Sequence, residues 1–281
     1  MRMVRTKAEL KEALQKVSDL EIGFVPTMGY LHEGHLALVK AAKNENDYVV
    51  MSIFVNPKQF GPNEDFACYP RDEAEDSLQA ERAGVDLLFL PTVNEMYPQE
   101  LSVQLHVEKR IDVLDGSARP GHFDGVVTVL LKLFSLMMPT RAYFGQKDAQ
   151  QVAIVESFVA DYFLPIEIRK VATIREKDGL AKSSRNVRLS EAERRDAAKL
   201  HQALLLGRKR IEEGHLDEQK VYQVVKDRLL GTANQIDYLT LLDYPSFLAA
   251  SARSKALILA IAVKYKQTRL IDNEIIPLKS K

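Results

Sequence analysis

The chain has 281 residues, 46% of them hydrophobic and 28% charged, a composition that excludes an intrinsically disordered protein. Its 39 Lys and Arg residues balance 39 Asp and Glu residues, so no overall field recruits nucleic acid or an anionic membrane. The single cysteine, Cys68, excludes an internal disulfide and fits a reducing compartment. The N-terminus lacks the apolar stretch of a signal peptide, and the longest apolar run, 126–138, is too short to span a bilayer. We therefore expect a cytoplasmic protein.

The first 174 residues alternate between strand and helix patterns. Apolar runs predict strands, the last of them near the edge of a sheet, at 22–25, 47–55, 86–91, 141–145 and 166–173. Between these strands the spacing of apolar residues predicts helices at 36–44, 72–83, 125–138 and 149–163. This alternation predicts an α/β fold, a doubly wound and mostly parallel sheet with helices on both faces. Such sheets bind ligands at the carboxyl ends of their strands.

After residue 174 the pattern changes, and we predict a smaller α+β domain over 175–281. Ser190 as N-cap, with Glu193 at the capping-box position, opens a long charged helix over 191–213 that ends at Gly214. A second helix is expected over about 217–230, stopped by Gly231, and strands are expected at 236–244, 256–264 and 270–276.

The segment from Pro26 to Val39 is the most informative stretch. An apolar run before it and helical spacing after it predict a strand, a tight turn and a helix. The turn places His32 and His35 on either side of Gly34. A helix N-terminus attracts phosphate, and two imidazoles there add donors and, when protonated, charge. This pattern indicates nucleoside triphosphate chemistry at the α-phosphate; the simpler alternative is a pair of helix-capping histidines.

A second phosphate-binding candidate is the segment 144–151. Gly145 ends a strand, and Lys147 offers a compact cation for phosphate. Asp148 has an equally good structural explanation, because it can cap the helix that follows. Gln151 lies one turn into that helix, from where it can reach back toward a polar ligand.

A third candidate, the segment 173–189, has little apolar periodicity but concentrates Arg, Lys and Ser at the domain junction. Charge runs are usually solvated, yet its Lys-Ser-Ser-Arg-Asn run supplies hydroxyls and a guanidinium suited to a polyphosphate. Weaker signals come from Asn56 and Gln59, which follow the second strand and suit a small polyol acid. Arg119 and His122 belong to a Pro-Gly turn that has a structural explanation of its own.

Together these motifs resemble the pantoate–β-alanine ligase (pantothenate synthetase) family. The match covers essentially the whole chain and runs in order through Pro-Thr-Met-Gly with His-x-Gly-His, Phe-Val-Asn-Pro-x-Gln-Phe, Tyr-Pro-Arg, Arg-Pro-Gly-His-Phe-x-Gly-Val, Phe-Gly-Gln-Lys-Asp and Ser-Ser-Arg-Asn. The His-x-Gly-His element alone would indicate only the wider group of nucleotidylyltransferases and class I aminoacyl-tRNA synthetases. The combination is far more specific.

The resemblance implies an organisation and a reaction. The N-terminal domain, 1–174, would be Rossmann-like and bind ATP and pantoate; the C-terminal domain, 175–281, would act as a lid, in a homodimer. The enzyme would use ATP and Mg²⁺ to convert (R)-pantoate to pantoyl adenylate, with release of pyrophosphate. β-Alanine would then attack the acyl carbon to give pantothenate, the coenzyme A precursor, and AMP.

The resemblance also implies roles for individual residues. His35 would be the proton donor, acting with His32 and Lys147 in catalysis. Gln59 and Gln151 would hold pantoate, with Gln59 also near β-alanine. No protein ligand to a metal is assigned, and we expect Asp76, a candidate by motif position, to be a surface helix carboxylate. The residues implied to bind ATP are Met28, Gly29, Tyr30, Leu31, His32, Glu33, Gly34, His35, Gly145, Gln146, Lys147, Asp148, Ile174, Lys182, Ser183, Ser184 and Arg185.

Lys182 departs from the family pattern, which usually has methionine before Ser-Ser-Arg. If this position acts through its backbone, adenine binding survives the change. If a thioether normally packs against the base, the lysine must extend to solvent or turn toward phosphate. We expect the substitution to be tolerated.

Two other functions remain open. A nucleotidyltransferase would act on a phosphate ester, but the Gln59 and Gln151 amides favour an uncharged polyol acceptor. A binding module without catalysis would lack part of the set His32, His35, Lys147 and Arg185, and the whole set is present.

Overall fold

A parallel sheet organises the N-terminal part of the computed structural model, which describes residues 1–62, 64–215, 217–230 and 235–278. Its six strands lie in the order β1-β4-β3-β2-β5-β6, and every neighbouring pair is parallel. The strands are β1 (Arg2–Val4), β2 (Ile22–Thr27), β3 (Tyr48–Ile53), β4 (Leu87–Phe89), β5 (Arg141–Gly145) and β6 (Glu167–Val171).

Helices pack on both faces of this sheet because its central strands are apolar on both sides. In β3, Val50 belongs to one hydrophobic cluster, whereas Val49 and Met51 belong to the cluster on the other face. The helices are α1 (Lys7–Gln15), α2 (Glu33–Glu45), α3 (Glu73–Arg82), α4 (Val93–Met96), α5 (Leu114–Ala118), α6 (His122–Met137) and α7 (Ala149–Asp161). Short 3₁₀ turns lie at Pro57–Gln59, Gln146–Asp148 and Ser184–Arg188.

The C-terminal part builds a second, antiparallel sheet with its own hydrophobic cluster. Its three strands are β7 (Gln235–Asp243), β8 (Ala256–Lys264) and β9 (Arg269–Pro277), with β8 in the middle. Its helices are α8 (Glu191–Ala197), α9 (Lys199–Glu212) and α10 (Glu218–Leu229). A further apolar cluster joins the two parts, with Ala149 and Ala153 of α7 against Ile258 and Ala260 of β8.

The predicted fold class is confirmed, including the edge position of β6. Strand β1 and helix α1 are additions that the apolar patterns did not indicate. The long helix predicted over 191–213 is divided at Ala198, although this residue keeps helical dihedrals (φ −61°, ψ −22°). Ser190 and Glu193 form the predicted capping box, whereas the predicted stop at Gly231 lies outside the described residues.

The strand order places a cleft at the carboxyl ends of β2 and β5. Strands β3 and β4 extend from β2 in one direction, and β5 and β6 extend in the other. Where the order of a doubly wound sheet reverses, the loops that leave neighbouring strands diverge and leave room for a ligand. No helix in the described part of the chain combines the length and the apolarity needed to cross a membrane.

Candidate active site

Each of the two predicted histidines uses one ring nitrogen to cap helix α2. The Nδ1 atom of His32 accepts a hydrogen bond from the N–H of Gly34 (3.1 Å), and the Nδ1 atom of His35 accepts one from the N–H of His32 (3.3 Å). The rings stack with their centroids 4.0 Å apart. An accepting Nδ1 leaves the proton of a neutral imidazole on Nε2. The capping interpretation is therefore correct, and it leaves Nε2 of both rings available to a ligand.

Both imidazoles are neutral near pH 7. Burial and the neighbouring Lys147 ammonium lower the pKa of His32 to about 4. Burial, His32 and Lys147 together lower the pKa of His35 well below its ordinary value. In the free protein the two histidines therefore present neutral Nε2–H groups and carry no fixed positive charge.

The loop before the histidines is held by Asp76, a residue of helix α3. Its two carboxylate oxygens accept hydrogen bonds from the N–H groups of Tyr30 (2.7 Å) and Leu31 (2.6 Å). Asp76 is only 2% exposed, so the expectation of a surface carboxylate is wrong. Gly29 lies against the same side chain with φ +85°, where a Cβ would lie 2.8 Å from the Asp76 Oδ2 atom. The loop thus needs both a glycine and a buried acceptor.

The 3₁₀ turn Gln146–Asp148 brings Lys147 to the carboxyl end of β5. The Lys147 Nζ atom lies 3.6 Å from the Asp148 carboxylate, and the side chain lines the cleft. Asp148 occupies the N-cap position of α7 but makes no capping hydrogen bond through its side chain, so that part of its structural explanation is wrong. A Cβ on Gly145 would meet no other atom within 4 Å, which leaves open space beside the turn.

The Lys182 side chain extends neither into solvent nor toward the 3₁₀ turn that carries Lys147. Its Nζ atom makes ion pairs with Glu33 and Glu176, both at 2.9 Å. Its backbone N–H donates to the carbonyl of Ile174 (2.9 Å) independently of the side chain. Lys182 therefore joins the start of α2 to the segment that follows β6.

Arg185 is engaged by a carboxylate of the chain itself. Its guanidinium donates twice to Asp65, through Nε and Nη2 at 3.0 Å each, and lies over the ring of Tyr69. The Tyr69 hydroxyl is 2.9 Å from the Ser184 hydroxyl, and Arg188 also donates to Asp65 (2.9 Å). The segment that contains Asp65 is thereby fastened to the Ser-Ser-Arg run.

Gln59 is buried and tightly positioned. Its Oε1 accepts from the Nδ2 of Asn56 (3.1 Å), and its Nε2 lies 3.1 Å from the sulfur of Met28. Its backbone carbonyl accepts from the Nδ1 of His122 (2.8 Å), while Arg119 pairs with Glu64 beside it. Arg119 and His122 therefore serve the structure of the loops around Gln59, in line with the structural explanation for them.

These groups surround one cleft. A cavity of about 220 Å³ is lined by both histidines, both candidate glutamines and the cationic segments, and it adjoins a cavity of about 660 Å³ beneath the C-terminal sheet. The predicted residues that line the smaller cavity are Met28, His32, Gly34, His35, Gln59, Gly145, Lys147, Asp148, Gln151, Ile174, Lys182, Ser183, Ser184 and Arg185. The predicted residues that do not line it are Gly29, Tyr30, Leu31, Glu33 and Gln146.

The sequence did not reveal the structural roles of several residues that hold the segments around the cleft. Asp76 and Glu176 lie in polar stretches that give no sign of burial or pairing. Asn273 reaches the turn at Lys147 from β9, through hydrogen bonds to the carbonyls of Gln146 and Lys147. Its one signal is the polar run Asp-Asn-Glu in the middle of a strand whose neighbouring residues are mostly apolar.

Known proteins are similar to this chain over nearly its whole length. The family model for pantoate-beta-alanine ligase matches residues 2–275. A pantothenate synthetase of Listeria monocytogenes is 58% identical over 99% of both chains. A crystal structure of pantothenate synthetase from Thermus thermophilus superposes with a TM-score of 0.92 at 45% identity, over 98% of this chain and 99% of that one. A pantoate-beta-alanine ligase from Francisella tularensis, complexed with beta-gamma ATP and beta-alanine, gives a TM-score of 0.80 at 33% identity, over 98% and 97%.

Proposed function

Because the chain belongs to the pantoate–β-alanine ligase family, we propose that it activates pantoate as an acyl adenylate before the amide bond forms. As a member of this family it is a ligase that forms pantothenate from pantoate and β-alanine, with ATP as a substrate. In the proposed route the (R)-pantoate carboxylate attacks the α-phosphorus of ATP and pyrophosphate leaves. The amine of β-alanine then attacks the acyl carbon, and AMP leaves with the bridging oxygen.

One observation supports this route above the others: the cleft gathers Nε2 of both histidines, Lys147 and the Ser-Ser-Arg run at the N-terminus of α2. Charge develops on the nonbridging α-phosphate oxygens and on pyrophosphate as the carboxylate attacks. Donors already fixed in place stabilise that charge more than they stabilise the ground state. His35 would donate from Nε2, with His32 beside it and Lys147 as the fixed positive charge.

The nucleotide would lie along the wall formed by 174–185. The backbone pairing of Ile174 with Lys182 gives this wall a fixed edge, and Ser183 and Ser184 supply hydroxyls for the phosphates. The open space beside Gly145 leaves room for a bound group close to the backbone. Arg185 would reach the phosphates by leaving Asp65.

Pantoate would bind between Gln59 and Gln151, which line the same cavity. Gln59 is preorganised by Asn56, so an amide donor and acceptor are in place for hydroxyl and carboxylate groups. Because an acyl adenylate hydrolyses readily, water has to be kept out until the amine arrives. The ion pairs of Glu64 with Arg119 and of Asp65 with Arg188 would hold the segment that carries Glu64 and Asp65 as a cover over this region.

Mg²⁺ belongs to the proposal as the ion that accompanies ATP. Within the residues that the structure describes, no three His, Cys, Asp or Glu side chains converge on a common point. Both oxygens of Asp76 are occupied by backbone donors. The ion would therefore bind mainly to phosphate oxygens and water and neutralise phosphate charge, as Mg²⁺ usually does with nucleotides.

We also propose the domain division at residue 174 and a homodimer. The division is supported by separate hydrophobic clusters in the two parts, and the shared cluster around Ala149 and Ile258 gives a C-terminal lid a defined docking surface. Expression of 1–174 and 175–281 as separate chains tests the division. Light scattering on the full chain tests the dimer, which a mass near the 31.8 kDa of one chain would refute.

The experiment that tests the proposed route is to trap the intermediate. The enzyme is mixed with ATP, Mg²⁺ and pantoate without β-alanine, quenched, and analysed by mass spectrometry. We expect stoichiometric pyrophosphate and enzyme-bound pantoyl adenylate, which added β-alanine converts to pantothenate and AMP. Absence of the adenylate, with ADP and phosphate formed once both acids are present, would overturn the proposal.

A further inference from the structure

The C-terminal sheet contacts the backbone that carries Lys147. Both amide protons of Asn273, in strand β9, are used: Nδ2 lies 3.1 Å from the carbonyl oxygen of Gln146 and 2.9 Å from that of Lys147. Asn273 is only 9% exposed. Since a buried amide is costly unless it is hydrogen-bonded, these two contacts determine its orientation.

The neighbouring residue, Asp272, contacts the other cationic segment of the cleft. Its carboxylate accepts from Nη1 (2.6 Å) and Nη2 (3.0 Å) of Arg175, and also from the N–H of Asn273 (2.8 Å). Arg175 follows Ile174 directly and also donates to the carbonyl of Gly179 (3.2 Å). Asp272 thus fixes the loop that leads into the Ser-Ser-Arg run.

Consecutive residues of a strand project to opposite faces of its sheet. One strand therefore holds two segments at once. Asn273 binds the 3₁₀ turn Gln146–Asp148 on one side, and Asp272 binds the loop after Ile174 on the other. Both segments come from regions distant in sequence. A pair of apolar residues would hold β9 in place as well, but it would leave the two segments free to shift relative to each other.

We propose that Asp272 and Asn273 are positioning residues for the ligase reaction, which set the separation between Lys147 and the nucleotide wall. Asn273 acts through Lys147, and Asp272 acts through Arg175 on ATP binding. This inference rests on the proposed function, in which Lys147 stabilises the transition state of adenylate formation. A shift of an ångström in a preorganised charge is enough to slow a reaction substantially.

A double-mutant cycle tests the role of Asn273. Pantoate-dependent exchange of labelled pyrophosphate into ATP is measured in the full-length enzyme for Asn273→Ala, Lys147→Ala and the double variant. We expect Asn273→Ala to lower the turnover of exchange about tenfold with KM for pantoate changed less than about twofold. In the Lys147→Ala background the same change should cost less than about twofold, because the group it positions is gone.

Two controls separate positioning from loss of structure. Glu193→Gln alters another buried group of the C-terminal part, which accepts N–H bonds from Ser190 and Lys266 and touches neither Gln146 nor Lys147. It should change the melting temperature without changing turnover. Asn273→Leu, which keeps the branched shape of the side chain but has no donors, should repeat the loss of turnover if Asn273→Ala does not fold.

The outcomes are distinct. Equal losses from Asn273→Ala in both backgrounds would show a merely structural role and overturn the proposal, as would full turnover in Asn273→Ala and Asn273→Leu. Exchange unaffected by Lys147→Ala would refute the role of Lys147 in the proposed function and the inference with it. No exchange in the unmodified enzyme would refute the adenylate route itself.

The Asp272 half of the proposal has its own readout. Asp272→Asn removes the charge closest to Arg175 but keeps the size of the side chain, and it leaves Glu274 as a weaker partner at 3.4 Å from Nη2. We expect KM for ATP to rise about fivefold to tenfold, with the same factor in the Lys147→Ala background, because this residue does not act through Lys147. An unchanged KM for ATP would overturn this half.

Discussion

The carboxylate of Asp76 accepts the N–H of Leu31 at 2.6 Å, so a residue of helix α3 fixes the loop that leads into the two histidines. The adjacent N–H of Tyr30 donates to the other oxygen of the same carboxylate. Burial raises the pKa of Asp76, and the two N–H donors oppose that shift. The position of the helix α2 N-terminus therefore depends on a contact across 45 residues of sequence.

The first prediction concerns this contact. Asp76→Ala leaves two N–H groups without an acceptor in a buried place, so we expect the free energy of unfolding to fall by about 2–4 kcal/mol. KM for ATP should rise as well, because the loop is no longer fixed. Denaturant unfolding and steady-state kinetics measure both effects. Glu75→Gln, on the exposed side of the same helix, is the control, and an equal effect of both variants would contradict the assigned role.

The second prediction concerns the pairing of Arg185 with Asp65. If Arg185 has to leave Asp65 to reach phosphate, Asp65→Asn weakens the competing interaction and should tighten ATP binding by roughly fivefold, about 1 kcal/mol. Calorimetric titration with a nonhydrolysable ATP analogue measures this. Glu64→Gln frees Arg119 instead and should leave ATP affinity unchanged. Weaker ATP binding by Asp65→Asn would mean that the pair persists in the complex.

The third prediction concerns Lys182, at the position where the resemblance to the family led us to expect methionine. Its ion pairs involve Glu33, which is 62% exposed, and such pairs contribute at most about 1 kcal/mol. The backbone bond to Ile174 survives substitution, so Lys182→Met should change kcat/KM for ATP less than about tenfold, or 1.4 kcal/mol. Lys147→Met, in the same cleft, should cost at least about a hundredfold. A gain above tenfold in Lys182→Met would show that the lysine obstructs the site.

The fourth prediction concerns the titration of the histidines. With the pKa of His32 at about 4 and that of His35 also lowered, neither ring should titrate between pH 5.5 and 8 in the free enzyme. Carbon-13 NMR of labelled histidine measures this, with assignment through His32→Asn and His35→Asn. His106 is an internal reference, since its hydrogen bond to Asp124 raises its pKa above the ordinary value. A midpoint near 6.5 for either active-site ring would contradict the neutral-donor description.

The lowered pKa values of these histidines also determine how the free energy of unfolding changes with pH. An unfolded chain takes up protons on its histidines as the pH falls through about 6.5, whereas the folded chain holds His32 neutral down to about pH 4. The unfolded state therefore binds more protons in this window, and the free energy of unfolding falls as the pH drops from 6.5 to 4. His122, whose pKa burial and Arg119 lower to about 4, adds to the same trend.

Local patterns predicted much of the fold. The strand at 141–145 has the predicted bounds because it is an apolar run between a polar turn and a glycine. The apolar pattern did not predict helix α1, although the capping box of Thr6 and Glu9 can be recognised in the sequence. Strand β1 was not predicted because two of its three residues are exposed, so it forms no apolar run. The break at Ala198 has no glycine or proline to mark it.

Some residues of the candidate site could likewise be predicted from the sequence and others could not. His32, His35, Lys147 and the Ser-Ser-Arg run were predictable because each follows the carboxyl end of a strand or a recognised motif. Asp76 and Asn273 were not, because their roles come from contacts between distant segments. For a carboxylate on a charged helix, the local sequence is the same whether the side chain is solvated or buried. The same holds for an amide in a strand. The roles of such residues can be recognised only in the folded structure, where distant segments come into contact.

The transfer of oxygen from pantoate to AMP tests the central claim most directly. Pantoate labelled with ¹⁸O in both carboxylate oxygens is converted with ATP, Mg²⁺ and β-alanine, and the products are analysed by mass spectrometry. If the carboxylate attacks the α-phosphorus, each AMP carries one ¹⁸O and each pantothenate keeps one in its amide carbonyl. AMP without label, or ¹⁸O in inorganic phosphate, would contradict the adenylate route and the assignment of the cleft built around His35.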